Sequence, residues 1–422
     1  MKHLVVTECF DSIPISDTET AALSSVEAEE LRKFVHANEL DEDNIIISRH
    51  HVTFINYVGF IQLSSCSIEI LPKVTGSDIG LSRKVLLRML ACTGYLDIYE
   101  SELSQLSFDK HNLFEIYGYL FASRLYRELV KGPHYNYMTE QEDLQRVRGK
   151  INMRAQMVHS ARKSASACCM YDEFQVNNPL NQLFKAALVQ LVYRVNHMRT
   201  RNLISNCLLI LDEVDRVPGS RLLGQAVHFN RMNKRFYHCY VLARMLLNQT
   251  VTITNLGFHK GVSILFKMNE LFEAYIAYLA KKVANKVIVK DTRYKLLINN
   301  NSRRGAFQLE PDLFISLENN RNMIIDTKWK MIYSSKSRHG VKREDFYQMY
   351  AYLTRYKEVE TVVLLYPHHP WITSESGRCL ESWSLEDNPN KQLKVFSISY
   401  EDEVRAKDEL TRIIFENNSY LL

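Results

Sequence analysis

The sequence predicts an α/β protein of more than one domain. A β-rich N-terminal domain and a helical middle segment precede a C-terminal domain whose mixed sheet is flanked by helices. The chain has 422 residues, more than one hydrophobic core usually supports. Short β-branched and aromatic runs are concentrated between Asn44 and Val74, and helical periodicity dominates from Asn178 onward. The last third alternates helix and strand patterns. We expect the three parts to cover residues 1–160, 161–255 and 256–422.

The N-terminal part begins with strands and continues with helices. Ser82 is a plausible N-cap for a helix whose apolar residues recur at helical spacing as far as Gly94. A second helix is predicted from about Asn112 to Val130. The predicted strands are Ile45–Ser48, Val52–Tyr57, Phe60–Leu63 and Ile68–Leu71.

The middle segment follows a stretch without a regular period. After Gly149 the chain becomes basic and rich in small residues, which predicts a domain boundary or hinge near residues 150–170. Asn178 and Pro179 then suit a helix start, with Asn as the cap and Pro at the first helical position. Further predicted helices cover about residues 201–216 and 231–248.

The last third carries mixed helix and strand patterns. A helix from about Asn269 to Val283 comes first, and a helix from about Glu344 to Tyr356 separates the later strands. The predicted strands are Val287–Val289, Pro311–Leu317, Met323–Trp329 and Thr361–Tyr366.

Composition limits the possible functions. With 46% apolar and 24% charged residues the chain is typical of a soluble globular protein. The net charge of +5 is modest, so any contact with nucleic acid must come from local basic clusters, which are equally compatible with solvated surface. These clusters are Arg83, Lys84 and Arg88; Arg146, Arg148, Lys150, Arg154, Arg162 and Lys163; and Arg303, Arg304, Lys328, Lys330, Lys336, Arg338, Lys342 and Arg343.

The cysteines and the N-terminus point to an intracellular protein. The eight cysteines lack CxxC spacing, which argues against zinc ribbons and a disulfide framework. The N-terminus does not have the pattern of a signal peptide, and no apolar run approaches the roughly 20 residues that span a bilayer. We expect a cytoplasmic protein without a membrane partner.

One pair of strands carries acidic and basic residues in an apolar setting. Pro311 and Asp312 form the only Pro-Asp dipeptide of the chain and open a strand pattern, with Asp312 facing away from its apolar side. On the next predicted strand, period-2 alternation puts Asp326 and Lys328 on one side. If these strands pair, two carboxylates and one ammonium converge.

That combination suits the hydrolysis of a phosphodiester. Carboxylate oxygens hold Mg²⁺, which polarises the phosphate and lowers the pKa of a bound water. A lysine orients this water or helps to deprotonate it, and offsets phosphate charge. By itself the motif is weak, because a chain with one Pro-Asp has a suitably spaced Asp/Glu-x-Lys with a probability of roughly 0.1. The alternative interpretation is a surface hairpin with an ion pair.

The neighbouring helices add further candidates. Glu273 lies at the edge of the apolar stripe of the preceding helix, where its carboxylate could join the metal ligands. Gln348 and Tyr352 are four residues apart on the following helix and so share a face. Each alone is explained by helix surface or core packing. The whole set, in this order and on these elements, favours a site.

The order Glu, Pro-Asp, Asp-x-Lys and Gln-x-x-x-Tyr resembles the PD-(D/E)xK nuclease superfamily, in its branch with a Gln-x-x-x-Tyr helix. Over about residues 50–400 the chain also resembles the McrC family, the nuclease subunit of McrBC-type, modification-dependent restriction systems. The segments that carry this resemblance are Gly59–Ile61, Ile68–Lys73, Leu87–Leu90, Leu144–Ile151, Tyr171–Asn181, Met268–Glu273 and Pro311–Lys328.

The resemblance implies a Mg²⁺-dependent endonuclease that cuts modified, 5-methylcytosine-type double-stranded DNA. It implies an N-terminal domain that docks with a hexameric, McrB-like AAA+ GTPase and stimulates it. The chain departs from the family pattern by an N-terminal extension of about 40 residues and a tail beyond residue 400. The implied metal ligands are Glu273, Asp312 and Asp326, and the implied catalytic residues are Asp312, Asp326, Lys328, Gln348 and Tyr352.

Other interpretations stay open. Leu208–Glu213 looks like a Walker B strand, but the chain has no Walker A loop, and the helical spacing of its apolar residues favours an amphipathic helix. A non-catalytic adaptor with the nuclease fold is disfavoured by the intact Asp312, Asp326 and Lys328. A nuclease of DNA repair or recombination is disfavoured by the N-terminal segments.

Overall fold

The structure, a computed structural model, describes residues 2–73, 78–96, 111–161, 166–251, 262–317 and 322–415. Two 3₁₀ helices cover Lys234–Phe236 and Ser337–Gly340. The strands are β1 Lys2–Thr7, β2 Ser12–Pro14, β3 Ile45–Ile47, β4 His51–Phe54, β5 Tyr57–Gln62, β6 Cys66–Leu71, β7 Asn136–Leu144, β8 Lys150–Ile151, β9 Ala167–Gln175, β10 Val262–Lys267, β11 Lys286–Val289, β12 Lys295–Ile298, β13 Gly305–Gln308, β14 Leu313–Ser316, β15 Asn322–Thr327, β16 Val359–Pro367, β17 Cys379–Ser384 and β18 Gln392–Ile398. The helices are α1 Ser25–Ala37, α2 Ile79–Cys92, α3 Leu113–Val130, α4 Met153–Ala161, α5 Pro179–Val192, α6 Met198–Ile210, α7 Gly219–Leu223, α8 Tyr237–Val251, α9 Met268–Val283, α10 Arg343–Arg355 and α11 Glu403–Phe415.

The N-terminal sheet has four strands in the order β1-β6-β5-β10. Strands β5 and β6 are buried on both faces, because one apolar cluster with α2 and α3 covers one side and a second cluster with α1 covers the other. This double burial explains their continuous apolar sequence. The segment expected to be an N-terminal extension belongs to the sheet, since β1 pairs in parallel with β6 along its whole length.

Two predicted helix starts are confirmed and one is wrong. The side chains of Asn112 and Asn178 cap α3 and α5, and Pro179 occupies the first turn of α5. Helix α2 begins four residues before the position expected from an N-cap at Ser82, because the carboxylate of Asp78 accepts the N–H of Leu81.

The two helices predicted at about residues 201–216 and 231–248 are confirmed with shifted bounds, as α6 and α8. Helix α6 ends earlier than expected. The buried ammonium group of Lys185 donates to the carbonyls of Leu211, Asp212 and Val214 at 2.9, 3.0 and 2.5 Å. It thus binds carbonyl groups of the turn that follows the helix. The Walker B-like segment lies at this helix end, as the helical spacing predicted.

The expected hinge near residues 150–170 includes residues 162–165, which lie outside the described ranges. Strand β8 and helix α4 precede these residues and β9 follows them, and both strands belong to a three-stranded sheet of order β7-β9-β8. Strand β9 pairs with β7 from Asn136↔Gln175 to Leu144↔Ala167, so a ladder joins the two sides of this segment. Strand β10, which follows the helical segment, pairs with β5 of the N-terminal sheet. The division at residues 160 and 255 stays a prediction.

The C-terminal sheet has six strands in the order β11-β14-β15-β16-β18-β17. Strands β15, β16 and β18 are parallel and the others antiparallel. Helices α9 and α11 pack on one face and α10 on the other, so alternate residues of β15 enter different apolar clusters. The expected mixed α/β architecture is confirmed. Strands β17 and β18, helix α11 and the hairpin β12–β13 were not predicted.

The first basic cluster is partly structural. Arg83 is buried and pairs with the buried Glu69 at 2.7 Å, and Arg88 donates to the carbonyl of Glu401 at 2.6 Å. Both guanidinium groups are therefore bound to other parts of this chain. Within the ranges given above, no helix is both long enough and apolar enough to cross a membrane.

Candidate active site

Asp312 and Asp326 stand opposite each other where β14 and β15 pair. The last antiparallel pair is Leu313↔Ile325, and the next step along the ladder reaches the two aspartates. Asp312 was expected to belong to this strand, but it directly precedes β14, which begins at Leu313. Its Oδ2 accepts the backbone N–H and the hydroxyl of Thr327, both at 2.7 Å. These two bonds hold the carboxylate at the strand end.

Asp326 is fully buried inside β15. Burial and, next, the negative charge of Asp312 raise the pKa of its carboxyl group to about 7, although Lys328 acts in the opposite direction. The two aspartates are therefore close enough to repel each other, as the strand pairing requires.

Lys328 follows β15 and points to the same face as Asp326. Its ammonium nitrogen lies 2.5 Å from Oδ2 of Asp326, and its backbone N–H donates to Leu365 of β16 at 2.9 Å. Burial lowers the pKa of the ammonium group, but the charges of Asp326 and Asp312 more than offset this and hold it above the usual range. Lys328 thus stays protonated beside the aspartates.

Gln348 of α10 ties these groups together. Its Oε1 accepts from the ammonium group of Lys328 at 2.9 Å, and its amide donates to Oδ1 of Asp326 at 3.2 Å and to the hydroxyl of Tyr352 at 2.9 Å. Tyr352 is buried, and burial raises the pKa of its phenol. The shared helix face inferred from the spacing is confirmed, and Gln348 connects Tyr352 to Asp326.

Glu273 lies on α9, at the flank of the aspartate pair. Its Oε1 is 3.4 Å from the ammonium nitrogen of Lys290. Burial and then the negative charge of nearby Asp312 raise the pKa of its carboxyl group. Lys290 also donates its backbone N–H to the carbonyl of Asp312 at 3.0 Å, which fixes this flank.

The carboxylates suit a hard divalent cation, because carboxylate oxygens are its preferred ligands. The pKa of Asp326 stays raised although Lys328 lies beside it, so the nearby positive charge does not balance the two aspartates. Across the described ranges, no three His, Cys, Asp or Glu side chains come together as a group able to hold a metal ion. Asp326 is engaged by Lys328 and Gln348 instead. The fit therefore rests on the two aspartates, with Glu273 beside them.

Sequence reasoning missed several residues around the site. Asp345 is buried on α10, where Lys330 donates to it at 2.8 Å and the hydroxyl of Tyr366 at 3.3 Å. Its position three residues before Gln348 was the available signal, since such pairs share a helix face. Thr327, between Asp326 and Lys328, could have been found from its place in the motif.

A family model described as "McrBC 5-methylcytosine restriction system component" matches residues 52–367. No curated protein matches the chain.

Two solved structures, both from Thermococcus gammatolerans, are similar in fold. One is a refined half-complex from a tetradecameric assembly of McrB AAA+ hexamers with bound McrC, at TM-score 0.74 and 19% identity, covering 99% of each chain. The other is the McrBC complex determined by cryo-electron microscopy, at TM-score 0.51 and 21% identity, covering 66% of this chain and 87% of that one. The family resemblance inferred from the sequence is confirmed, and the chain belongs to the McrBC 5-methylcytosine restriction system component family.

Proposed function

We propose that this chain is the DNA-cutting subunit of a GTP-dependent restriction complex, a Mg²⁺-dependent endonuclease of the PD-(D/E)xK class that acts in the cytoplasm on DNA with 5-methylcytosine-type modification. One observation carries the proposal. Asp312 and Asp326 face each other across paired strands, and the ammonium nitrogen of Lys328 lies 2.5 Å from Asp326. Family membership supports the proposed substrate class.

The residues have separate roles in this proposal. Asp312 and Asp326, with Glu273 beside them, would hold Mg²⁺, which on binding polarises the phosphate and makes its bound water more acidic. Lys328 orients the attacking water and offsets the charge that develops on the phosphate. Gln348 holds the ammonium group of Lys328 in place, and Tyr352 holds Gln348.

The nucleotide must be hydrolysed by another chain, because this sequence has no Walker A loop. One of the two similar solved structures contains McrB AAA+ hexamers with bound McrC. We therefore propose a hexameric AAA+ GTPase as the partner, docked by the N-terminal part. The two alternatives are weaker: an adaptor without activity would not need a charged set whose burial is costly, and family membership disfavours a repair nuclease.

The proposal is tested with full-length protein, its AAA+ partner, GTP, Mg²⁺ and methylated DNA. Asp312→Ala and Lys328→Ala should each abolish cleavage while leaving the circular dichroism spectrum unchanged. Asp408→Ala and Lys407→Ala are matched controls, since both residues are exposed on α11. Cleavage by a folded Lys328→Ala protein at the rate of its control would contradict the assignment.

A further inference from the structure

Trp329, the residue after Lys328, is held by the N-terminal sheet. Its indole N–H donates to Oε1 of Glu8 at 2.5 Å, and its carbonyl accepts from the ammonium group of Lys73 at 3.2 Å. Glu8 directly follows β1, and Lys73 comes two residues after β6. Two adjacent strands of the N-terminal sheet thus hold one residue of the C-terminal sheet.

These contacts are buried. Glu8 is 0% exposed, and Lys73 and Trp329 are each 6% exposed. The ammonium nitrogen of Lys73 lies 5.4 Å from the centre of the indole ring. Charged groups are costly to bury unless they are paired and hydrogen-bonded. Glu8 and Lys73 each form a hydrogen bond with Trp329, and burial raises the pKa of the Glu8 carboxyl group although the charge of Lys73 acts in the opposite direction.

The backbone leaves little freedom between Trp329 and Lys328. The N–H of Lys330 donates to the carbonyl of Lys328 at 2.9 Å, which makes a tight turn centred on Trp329. The N–H of Lys328 is bound to Leu365 at the end of the parallel strands. A displacement of the indole ring would therefore displace the lysine side chain, which points to the other face of the sheet.

The ring also touches the flank of the site. It packs on Phe272 at 5.1 Å between ring centres, and Phe272 precedes Glu273 on α9. On its other side it meets Tyr400 at 5.4 Å, whose hydroxyl donates to the carbonyl of Lys73 at 3.1 Å. Trp329 therefore connects the N-terminal sheet to both Lys328 and the helix of Glu273.

We propose that Glu8 and Lys73 are positioning residues of the nuclease site, which act through Trp329 to fix the place of Lys328. The inference rests on the proposed function. It means that the C-terminal sheet does not make a competent site alone and that the N-terminal sheet completes it.

The test compares Glu8→Leu with Glu8→Gln in the full-length protein with its AAA+ partner. Leucine is similar in size but accepts no hydrogen bond, whereas glutamine keeps an oxygen for the indole N–H. Glu8→Leu should lower kcat for DNA cleavage by about 10- to 100-fold, as small misplacements of catalytic groups do. KM for DNA should stay unchanged in Glu8→Leu. Glu8→Gln should have the kcat of the wild type. Lys73→Met should lower kcat in the same manner.

A spectroscopic measurement follows Trp329 itself. The chain has three tryptophans, and Trp371→Phe with Trp383→Phe leaves Trp329 as the only indole. In this background Glu8→Leu should shift the emission maximum, and Glu8→Gln should not. Val6→Ala, a core truncation on β1, is the control for a loss of stability that leaves the contact intact.

The outcomes separate the inference from the proposed function. A wild-type complex that does not cleave DNA contradicts the proposed function. A wild-type complex that cleaves, beside a Glu8→Leu complex with the same kcat or the same emission, contradicts the inference alone. The same holds if Val6→Ala lowers kcat as much as Glu8→Leu at an equal loss of thermal stability.

Discussion

The ammonium group of Lys328 lies 2.5 Å from a carboxylate oxygen of Asp326, which is fully buried and stands opposite Asp312. This contact does not fully compensate the two aspartates, since the pKa of Asp326 remains raised, to about 7. Such an arrangement is costly in the free protein and is typical of sites that bind a cation or a charged reactant.

The first prediction concerns metal binding. Mg²⁺ at 100 times its dissociation constant should stabilise the wild-type chain by about 2.7 kcal/mol against unfolding, because it binds the folded state. Asp312→Ala and Asp326→Ala should lose this gain, and Asp408→Ala should keep it. Thermal unfolding with and without Mg²⁺ measures the effect. A full Mg²⁺ shift in Asp326→Ala would exclude Asp326 as a ligand.

The second prediction concerns pH. The pKa of Asp326 is about 7 in the folded chain and 3.8 in its ordinary state, so the folded chain binds this proton more tightly. The free energy of unfolding therefore falls as the pH rises from about 4 to about 7. Asp326→Asn removes this loss and should stabilise the metal-free chain at pH 8 by about 1–3 kcal/mol.

Urea unfolding in a chelating buffer at pH 5 and pH 8 checks this prediction. The gain should be larger at pH 8 than at pH 5. An Asp326→Asn protein that is equally or less stable than the wild type at pH 8 would show that the buried charge is compensated in the free chain.

The third prediction concerns Glu273. Glu273→Gln keeps the shape of the side chain but loses the charge that a hard cation prefers, so it should weaken cleavage by weakening Mg²⁺ affinity. Raising the Mg²⁺ concentration should then restore cleavage. Glu270→Gln, on an exposed residue one turn earlier, is the control. If Mg²⁺ affinity is unchanged in Glu273→Gln, the residue is not a ligand.

The fourth prediction concerns Gln348. Truncation of the Gln348 side chain removes its hydrogen bond to the ammonium group of Lys328 without changing the charge of the site. Gln348→Ala should therefore lower kcat by about 10- to 100-fold, with Mg²⁺ affinity close to that of the wild type. Tyr352→Phe should have a smaller effect, because its hydroxyl acts only through Gln348. Kinetics that rank Tyr352→Phe as the more damaging change would contradict these roles.

Local signals in the sequence predicted much of the C-terminal part. Period-2 alternation put Asp326 and Lys328 on one face of a strand, and four-residue spacing put Gln348 and Tyr352 on one face of a helix, and both are found. The sequence also predicted Asn178 as the N-cap of helix α5, which the structure confirms. These features depend on neighbours in the sequence, which is why a single chain reveals them.

Long-range pairing could not be predicted in this way. The bond between Trp329 and Glu8 joins residues 321 positions apart, and β10 pairs with a strand about 200 residues earlier. Neither contact can be inferred from the spacing of apolar residues along the sequence. The error at Ser82 has a different, local cause, since Asp78 four residues earlier provides the cap. The burial of Arg83 depends on its contact with Glu69, which lies on the neighbouring strand β6.

These long-range contacts change how docking of the partner should be tested. A fragment of residues 1–160 would lack β9 and β10 and so would lose strands from two sheets. Full-length variants with an inactive nuclease site avoid this loss. Because the proposed nuclease site and the proposed docking region are on different sheets, a change at Asp326 should leave stimulation of the partner intact.

The most direct test of the central claim measures DNA cleavage and GTP hydrolysis in one preparation of the full-length Asp326→Ala protein with its AAA+ partner, Mg²⁺ and methylated DNA. We predict no cleavage above the level without this chain, together with GTP hydrolysis stimulated as strongly as by the wild type. Cleavage at the wild-type rate by this folded variant would contradict the assignment of the nuclease site.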